Sequence, residues 1–171
     1  MKKAMCLVVV GLISGAGVWA EEMAMPAIKI STELKKIQSL AGTWVGTSNS
    51  THDGERQTKV VYEVTSGGSA VVEKLGAGTS HEMVSVYHDK GGKLSMTHYC
   101  MLGNQPEMDL TGATDTRYEL KEPADGPLSK EMHMNTITIE WLGPAAIRQT
   151  WTAVDAEGKA QGPTVIELKK A

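Results

Sequence analysis

The sequence predicts an all-β fold: an antiparallel, up-and-down β-barrel of about eight to ten strands with a short helix at its N-terminal side. Three observations support this prediction. From residue 42 onward, apolar and polar residues alternate with a period of two, as they do in half-buried strands. Turns rich in glycine interrupt this alternation at short intervals. The sequence predicts no long helix that could cover an open sheet. Closure into a barrel is therefore the expected way to remove the sheet edges.

The composition indicates one globular domain. The chain has 171 residues, of which 41% are hydrophobic and 22% are charged. Phenylalanine is absent, so the core must consist of aliphatic residues, methionine and a few Trp and Tyr side chains. The formal net charge of −3 provides no basic surface for nucleic acid or anionic lipid, and we expect neither as a partner. The sequence does not indicate a protein partner.

The first 20 residues have the pattern of an export signal. Lys2 and Lys3 precede an uncharged apolar run over residues 4–18, and Val18-Trp19-Ala20 provides small or tolerated residues before a cleavage site at Glu21. The run is shorter than the ~20 residues that a membrane-spanning helix needs, so we expect a cleaved signal peptide and no membrane anchor. The chain is therefore expected to be exported, to the periplasm or the medium.

Two segments follow the predicted signal peptide. Residues 21–30 are expected to form a flexible tether, and residues 31–171 a single barrel domain. Of the two cysteines, Cys100 alone lies in that domain, so no disulfide within it is possible.

The barrel domain begins with a predicted helix of two or three turns. Ser31 or Thr32 can cap it, and Gly42 stands where it would end. One face of this helix is apolar, at Leu34, Ile37 and Leu40.

Ten alternating stretches follow the helix. The predicted strands are 43–50, 57–65, 70–75, 80–89, 93–102, 107–111, 117–121, 131–141, 146–154 and 164–169. Between most of them lie Gly, Asp, Asn and Pro residues that form hairpin turns.

The first strand opens with Gly42-Thr43-Trp44 directly after the helix. This motif resembles the Gly-x-Trp start of lipocalins and their calycin relatives. The resemblance implies that Trp44 closes one end of the barrel and stacks beneath an arginine from a late strand. Arg148 matches that arginine, and the stack would be a cation–π contact.

Further segments carry a second resemblance, which covers most of the domain. They are 40–44, 67–73, 81–87, 97–100, 104–106, 133–134 and 148–151. In these segments the chain resembles an exported bacterial family of uncharacterised, lipocalin-like proteins. The resemblance implies a barrel and export, and it implies no reaction.

The hairpin of the fourth and fifth predicted strands concentrates residues with reactive side chains. We expect residues 89–92 to form its turn. The ladder that follows would pair Met83 with His98 and His81 with Cys100, all on one face of the sheet. We expect that face to line the barrel interior.

The first functional hypothesis is a protein that binds a small apolar molecule inside the barrel. Methionines can form an adaptable wall, although they can equally be core residues that replace the absent phenylalanine. The expected ligand-binding residues are His81, Met83, Met96, His98, Cys100, Gln105 and His133.

Two other functional hypotheses use the same hairpin. Imidazole, thioether and thiolate groups at His81, Met83, His98 and Cys100 would suit a soft metal ion or haem iron. Alternatively, Cys100 could act as a nucleophile with His98 as its base, although no orienting group or oxyanion pocket is evident. The sequence therefore assigns neither a cofactor nor a catalytic residue.

Three acidic residues lie within apolar strand stretches. Glu73, Glu82 and Glu140 are expected on the solvated outer face of the barrel, where acidic side chains usually alternate with buried ones.

Overall fold

The predicted barrel is confirmed. The computed structural model describes residues 28–52 and 55–171, so the predicted signal peptide and most of the tether lie outside the described residues. Ten antiparallel strands form a closed barrel in which each strand pairs with its neighbours in the chain and the last strand pairs with the first.

In the described part of the chain, one α-helix precedes the strands. The elements are α1 (Thr32–Gln38), β1 (Gly42–His52), β2 (Glu55–Thr65), β3 (Ala70–Leu75), β4 (Met83–Lys90), β5 (Lys93–Tyr99), β6 (Glu107–Ala113), β7 (Arg117–Lys121), β8 (His133–Gly143), β9 (Ala146–Val154) and β10 (Ala160–Lys170). Strands β3, β7 and β9 have the predicted bounds. None of these elements is a helix long and apolar enough to cross a membrane.

Barrel closure depends on a close approach between β1 and β10. Gly46 pairs with Leu168 in this ladder. A Cβ atom at position 46 would overlap the main-chain carbonyl oxygen of Glu167. Because the obstacle is backbone, only glycine fits where the first and last strands meet.

Helix α1 closes one end of the barrel. The Ser31 hydroxyl caps it by accepting a hydrogen bond from the Leu34 N–H at 2.9 Å. The Ser31 main-chain N–H and hydroxyl also donate to the Asp89 carboxylate at 2.6 and 2.7 Å, which fixes the helix to the end of β4. On the other side, the Lys36 ammonium lies 4.6 Å from the centre of the Trp141 ring. The helix thus spans the barrel end from β4 to β8.

The opposite end is less covered, and we term it the open end. It comprises the ends of the strands joined by loops 76–82, 100–106, 122–132 and 155–159. Along β1, the inward-facing Trp44 near the helix is buried, whereas the inward-facing Ser48 and Ser50 further along are only half-buried. The inward positions of β1 are therefore more accessible to solvent toward the open end than near the helix.

The predicted arginine stack is wrong. Gly42 has a φ of 121°, which favours glycine, and Trp44 is buried as expected. The cation over the Trp44 ring is Lys170, however, whose Nζ lies 5.6 Å from the ring centre. Arg148 points outward, where it binds the Glu167 carboxylate at 2.8 Å. Its two neighbours in β9 face the core, and the period of two places Arg148 on the other face.

Candidate functional site

The β4–β5 hairpin places its residues on the predicted faces but in a different register. Gly91 and Gly92 form a two-residue turn with φ values of 59° and 81°, instead of the longer turn expected. His98 consequently pairs with Ser85, not with Met83. The predicted register was therefore wrong by two residues. Because that shift is even, the inward face is still the one predicted.

The new register separates the four residues proposed as metal ligands. His81 lies in the turn before β4, where its Nδ1 is 3.2 Å from the Ser80 hydroxyl. Cys100 follows the end of β5, and its main-chain N–H donates to the Asn104 carbonyl. The predicted His81–Cys100 pair is thus not formed. Across residues 28–52 and 55–171, no group of three or more His, Cys, Asp and Glu side chains is placed to hold a metal ion.

His98 lies in the interior, one residue before the end of β5. Its side chain is 1% exposed and stacks on Trp151, with 4.8 Å between ring centres. Its Nδ1 lies 3.0 Å from the Ser85 hydroxyl. Burial lowers the pKa of His98 to about 4, so the ring is neutral at pH 7. Its Nε2 is buried and has no hydrogen-bond partner among the described residues.

A buried carboxylate lies beside this histidine. Glu73 is fully buried, so the prediction that it lies on the outer face was wrong. The hydroxyls of Tyr62 and Tyr87 donate to its two oxygens at 3.0 and 2.9 Å, and the Gln149 amide also donates to it. Burial raises the pKa of Glu73, and these donors together with Ser85 oppose the rise. The arrangement therefore places an acidic side chain with a raised pKa, surrounded by hydrogen-bond partners, inside the barrel.

Ser85 and His98 share one side-chain hydrogen bond, between the Ser85 hydroxyl and His98 Nδ1. A neutral imidazole carries its proton on one of its two nitrogens. If Nδ1 donates to Ser85, Nε2 has a free lone pair and can accept; if Ser85 donates to Nδ1, Nε2 carries the proton and can donate. In either case Nε2 is a buried polar atom that a polar group could reach as a partner.

A second buried acid–imidazole pair lies at the open end. His133 Nε2 is 2.6 Å from a Glu122 carboxylate oxygen, and both side chains are almost completely buried. His133 Nδ1 lies 2.7 Å from the Glu131 carbonyl. Burial raises the pKa of Glu122, and the nearby His133 opposes the rise. Together these contacts hold the two ends of the 122–132 loop against the barrel.

The other predicted ligand-binding residues occupy different environments. Met96 is fully buried, and Met83 is half-buried against the core. Gln105 is exposed, and its amide bonds the Gly103 carbonyl of its own loop at 3.2 Å. The structure thus brings Met83, Met96 and His98 to the interior wall and leaves Gln105 at the rim.

Sequence reasoning missed four polar members of the interior cluster. The signal that could have identified them is the alternation of each strand. It places Glu73 of β3 on the inward face, and polar residues at inward positions of the neighbouring strands are then expected to contact it. The missed residues are Tyr62, Ser85, Tyr87 and Gln149.

Two grooves mark the outer surface, and residues of the cluster do not line either of them. One, of about 300 Å³, lies between α1 and the diverging ends of β5 and β6, beside Leu94 and Leu110. The other, of about 270 Å³, lies across β1, β9 and β10.

The fold is shared with two proteins of known structure. A protein of unknown function from the DUF3598 family of Nostoc punctiforme PCC 73102 has a TM-score of 0.54 and 13% identity, over 79% of this chain and 49% of that one. The present chain thus spans about half of its length. Rv2717c from M. tuberculosis has a TM-score of 0.53 and 13% identity, over 84% of this chain and 99% of that one. At this level of identity, the similarity of this chain to both proteins concerns the fold alone. No protein-family model and no curated protein sequence matches the chain.

Proposed function

We propose that this protein is an exported barrel that binds a small, mainly apolar molecule at its open end, with the polar group of the ligand on His98 Nε2. The observation that carries the proposal is that this buried nitrogen has no hydrogen-bond partner among the described residues. Most buried polar side-chain atoms in folded proteins have a partner, and leaving one without costs about 1–3 kcal/mol. A ligand that hydrogen-bonds to Nε2 would remove that cost.

The surroundings of His98 suit such a ligand. Trp151 stacks on the ring, and the flexible Met83 and Met96 side chains share the inward face of the same hairpin. Residue 98 is close to the end of β5, on the side from which solvent approaches the interior. Burial of the apolar part of the ligand would supply most of the affinity, and His98 would orient it.

Export is part of the proposal and rests on the sequence. The basic start, the uncharged run over residues 4–18 and Ala20 at the expected cleavage site support a signal peptide.

A second candidate function is binding of haem or a soft metal ion through His98 alone. The hydrogen bond between Ser85 and His98 Nδ1 favours it, since metal-bound histidines are commonly oriented by a hydrogen bond from their other ring nitrogen. The cysteine-enzyme hypothesis has less support. Within the described residues, the His98 side chain hydrogen-bonds to Ser85, and no hydrogen bond joins it to Cys100.

Native mass spectrometry with elemental analysis tests these proposals, using the chain purified from a bacterial periplasm. His98→Asn keeps a short polar side chain that can bond Ser85 but removes Nε2, and His88→Asn, on the opposite face of β4, is the control. An organic molecule that is lost in His98→Asn and retained in the control supports the proposal. A stoichiometric metal or haem with the same behaviour favours the second candidate. An unliganded mass that stays unchanged with added 1-octanol contradicts the proposal, and one that stays unchanged with added haem or Zn²⁺ contradicts the second candidate.

A further inference from the structure

We propose that the helix-capped end of the barrel docks on a bilayer that contains anionic phospholipids, through exposed lysines that lie around two exposed apolar side chains. This inference does not depend on the ligand proposed for the interior. We term this surface the helix end. It comprises residues 28–31, α1 and the strand ends joined by turns 66–69, 91–92, 114–116 and 144–145.

The fold collects lysines at the helix end. Lys90 and Arg117 lie there and form ion pairs with Glu107 and Glu119. The other lysines of this end form no ion pair within the described residues, and all but one of them are exposed. These are Lys29, Lys35, the half-buried Lys36, Lys93, Lys169 and Lys170.

Few carboxylates offset these lysines. Those of the helix end are Glu33, Asp89 and Asp115. The Asp89 carboxylate already accepts hydrogen bonds from the Ser31 main-chain N–H and hydroxyl. Cations therefore outnumber carboxylates on this surface, and the excess attracts anions in the surrounding solvent.

The opposite end of the barrel has the reverse balance. Its four loops contain more acidic than basic side chains outside the buried Glu122. The net charge of −3 averages the two ends. The expectation that the chain has no anionic partner relied on this average, which conceals a separation of charge that only the fold produces. The residues of the open end are Glu82, Asp125, Glu131, Asp155 and Glu157, against Lys130 and Lys159.

Two large apolar side chains are exposed among the lysines. Ile28 is 52% exposed and lies over the β2–β3 turn, and Leu142 is 51% exposed at the end of β8. Leu142 follows Trp141, whose ring carries the Lys36 ammonium at 4.6 Å. A bilayer surface accommodates both kinds of group, since phosphates attract the lysines and the interface takes up apolar side chains. A phosphate polymer would leave the apolar side chains in water, so the surface favours a bilayer.

The alternative is that the lysines only keep the protein in solution. Any attraction to an anionic vesicle would then follow the net charge of the chain. The position of a lysine, at the helix end or the open end, would make no difference. The two possibilities are therefore distinguished by moving the same charge change from one end to the other.

The first test is flotation of the chain purified from a bacterial periplasm with two kinds of vesicle. One is phosphatidylcholine alone, and in the other about one third of the lipid is phosphatidylglycerol. Each lysine near an anionic surface contributes about fivefold to binding, so we expect at least about tenfold stronger binding to the anionic vesicles. Added salt should remove most of this difference, because it screens exposed charges. Absence of binding, or equal binding to both vesicles, would overturn the inference.

Paired variants locate the surface. Lys35→Gln combined with Lys93→Gln should weaken binding to anionic vesicles at least about tenfold. Lys121→Gln combined with Lys159→Gln is the control, since it removes the same charge from exposed positions at the open end, and it should stay within about twofold of the wild type. Equal losses in the two pairs would overturn the inference. Lys29→Gln with Lys35→Gln is a second pair if the first does not fold.

Two further variants identify the partner and separate this inference from the proposed function. Leu142→Ser should weaken vesicle binding at least about threefold, because it removes an apolar contact with the interface. Binding to inorganic polyphosphate as tight as to vesicles, with no effect of Leu142→Ser on either, would assign the surface to a phosphate polymer and overturn the bilayer proposal. His98→Asn should leave vesicle binding unchanged, so loss of the interior ligand and loss of docking are distinguishable.

Discussion

Replacing Tyr87 with phenylalanine deletes one of the hydroxyls that stabilise the buried Glu73. Tyr87 is fully buried, and its hydroxyl donates to a Glu73 oxygen at 2.9 Å. The phenyl ring keeps the apolar contacts, so the change isolates one hydrogen bond to the buried Glu73 carboxyl. Hydrogen bonds to ionised groups contribute about 1.5–3 kcal/mol, and we expect the free energy of unfolding to fall by that amount at a pH above the raised pKa of Glu73.

Urea denaturation followed by circular dichroism measures this loss. Tyr99→Phe is the matched control, because Tyr99 is 51% exposed and should change stability by less than about 0.5 kcal/mol. In a Glu73→Gln background the same Tyr87→Phe change should cost only about 1 kcal/mol, since the acceptor is then neutral. A Tyr87→Phe protein as stable as the wild type would refute the assignment of a carboxylate held by these donors.

Three further predictions concern other parts of the molecule. Burial raises the pKa of Glu122 above its ordinary value of 4.5. The stability that the neutral carboxyl contributes is therefore present below pH 4.5 and is lost as the pH rises through the raised pKa. Glu122→Gln should remove this pH dependence of the urea midpoint, and an unchanged profile would contradict the prediction. Gly46→Ala should lower stability by about 3 kcal/mol or prevent folding, whereas Gly143→Ala, where nothing lies within 4 Å of the new Cβ, should be tolerated in thermal melts. Iodoacetamide should modify Cys100 no faster than free cysteine, and a faster rate would revive the cysteine-enzyme hypothesis.

The alternation of apolar and polar residues was sufficient to predict the architecture. In a strand, successive side chains point to opposite faces, so a barrel strand alternates between core and solvent along its whole length. The ends of this alternation predicted the bounds of β3, β7 and β9. The same logic predicted the inward face of the β4–β5 hairpin. The glycines at 91 and 92 also contained the turn signal that sets the register. The register was missed because a four-residue turn and a two-residue turn place the same residues on the same faces.

The polar cluster was harder to predict because its members are far apart in the sequence. Gln149 and Glu73 meet across the barrel interior, and the residue type of neither one indicates burial. An acidic residue in a strand is usually exposed, so Glu73 could be recognised only by following the period of β3 strictly. The prediction that Arg148 stacks on Trp44 was wrong for a similar reason. It followed the resemblance to lipocalins, although the alternation of β9 places Arg148 on the outer face.

The tautomer and environment of His98 test the central claim most directly. Two-dimensional ¹H–¹⁵N NMR of the imidazole nitrogens distinguishes a protonated nitrogen from one with a free lone pair. The account predicts that the ring is neutral at pH 7, with a proton on one nitrogen, and that the Nε2 resonance moves when 1-octanol binds. A doubly protonated ring at pH 7, or an Nε2 resonance that stays unchanged while 1-octanol binds, would contradict the account.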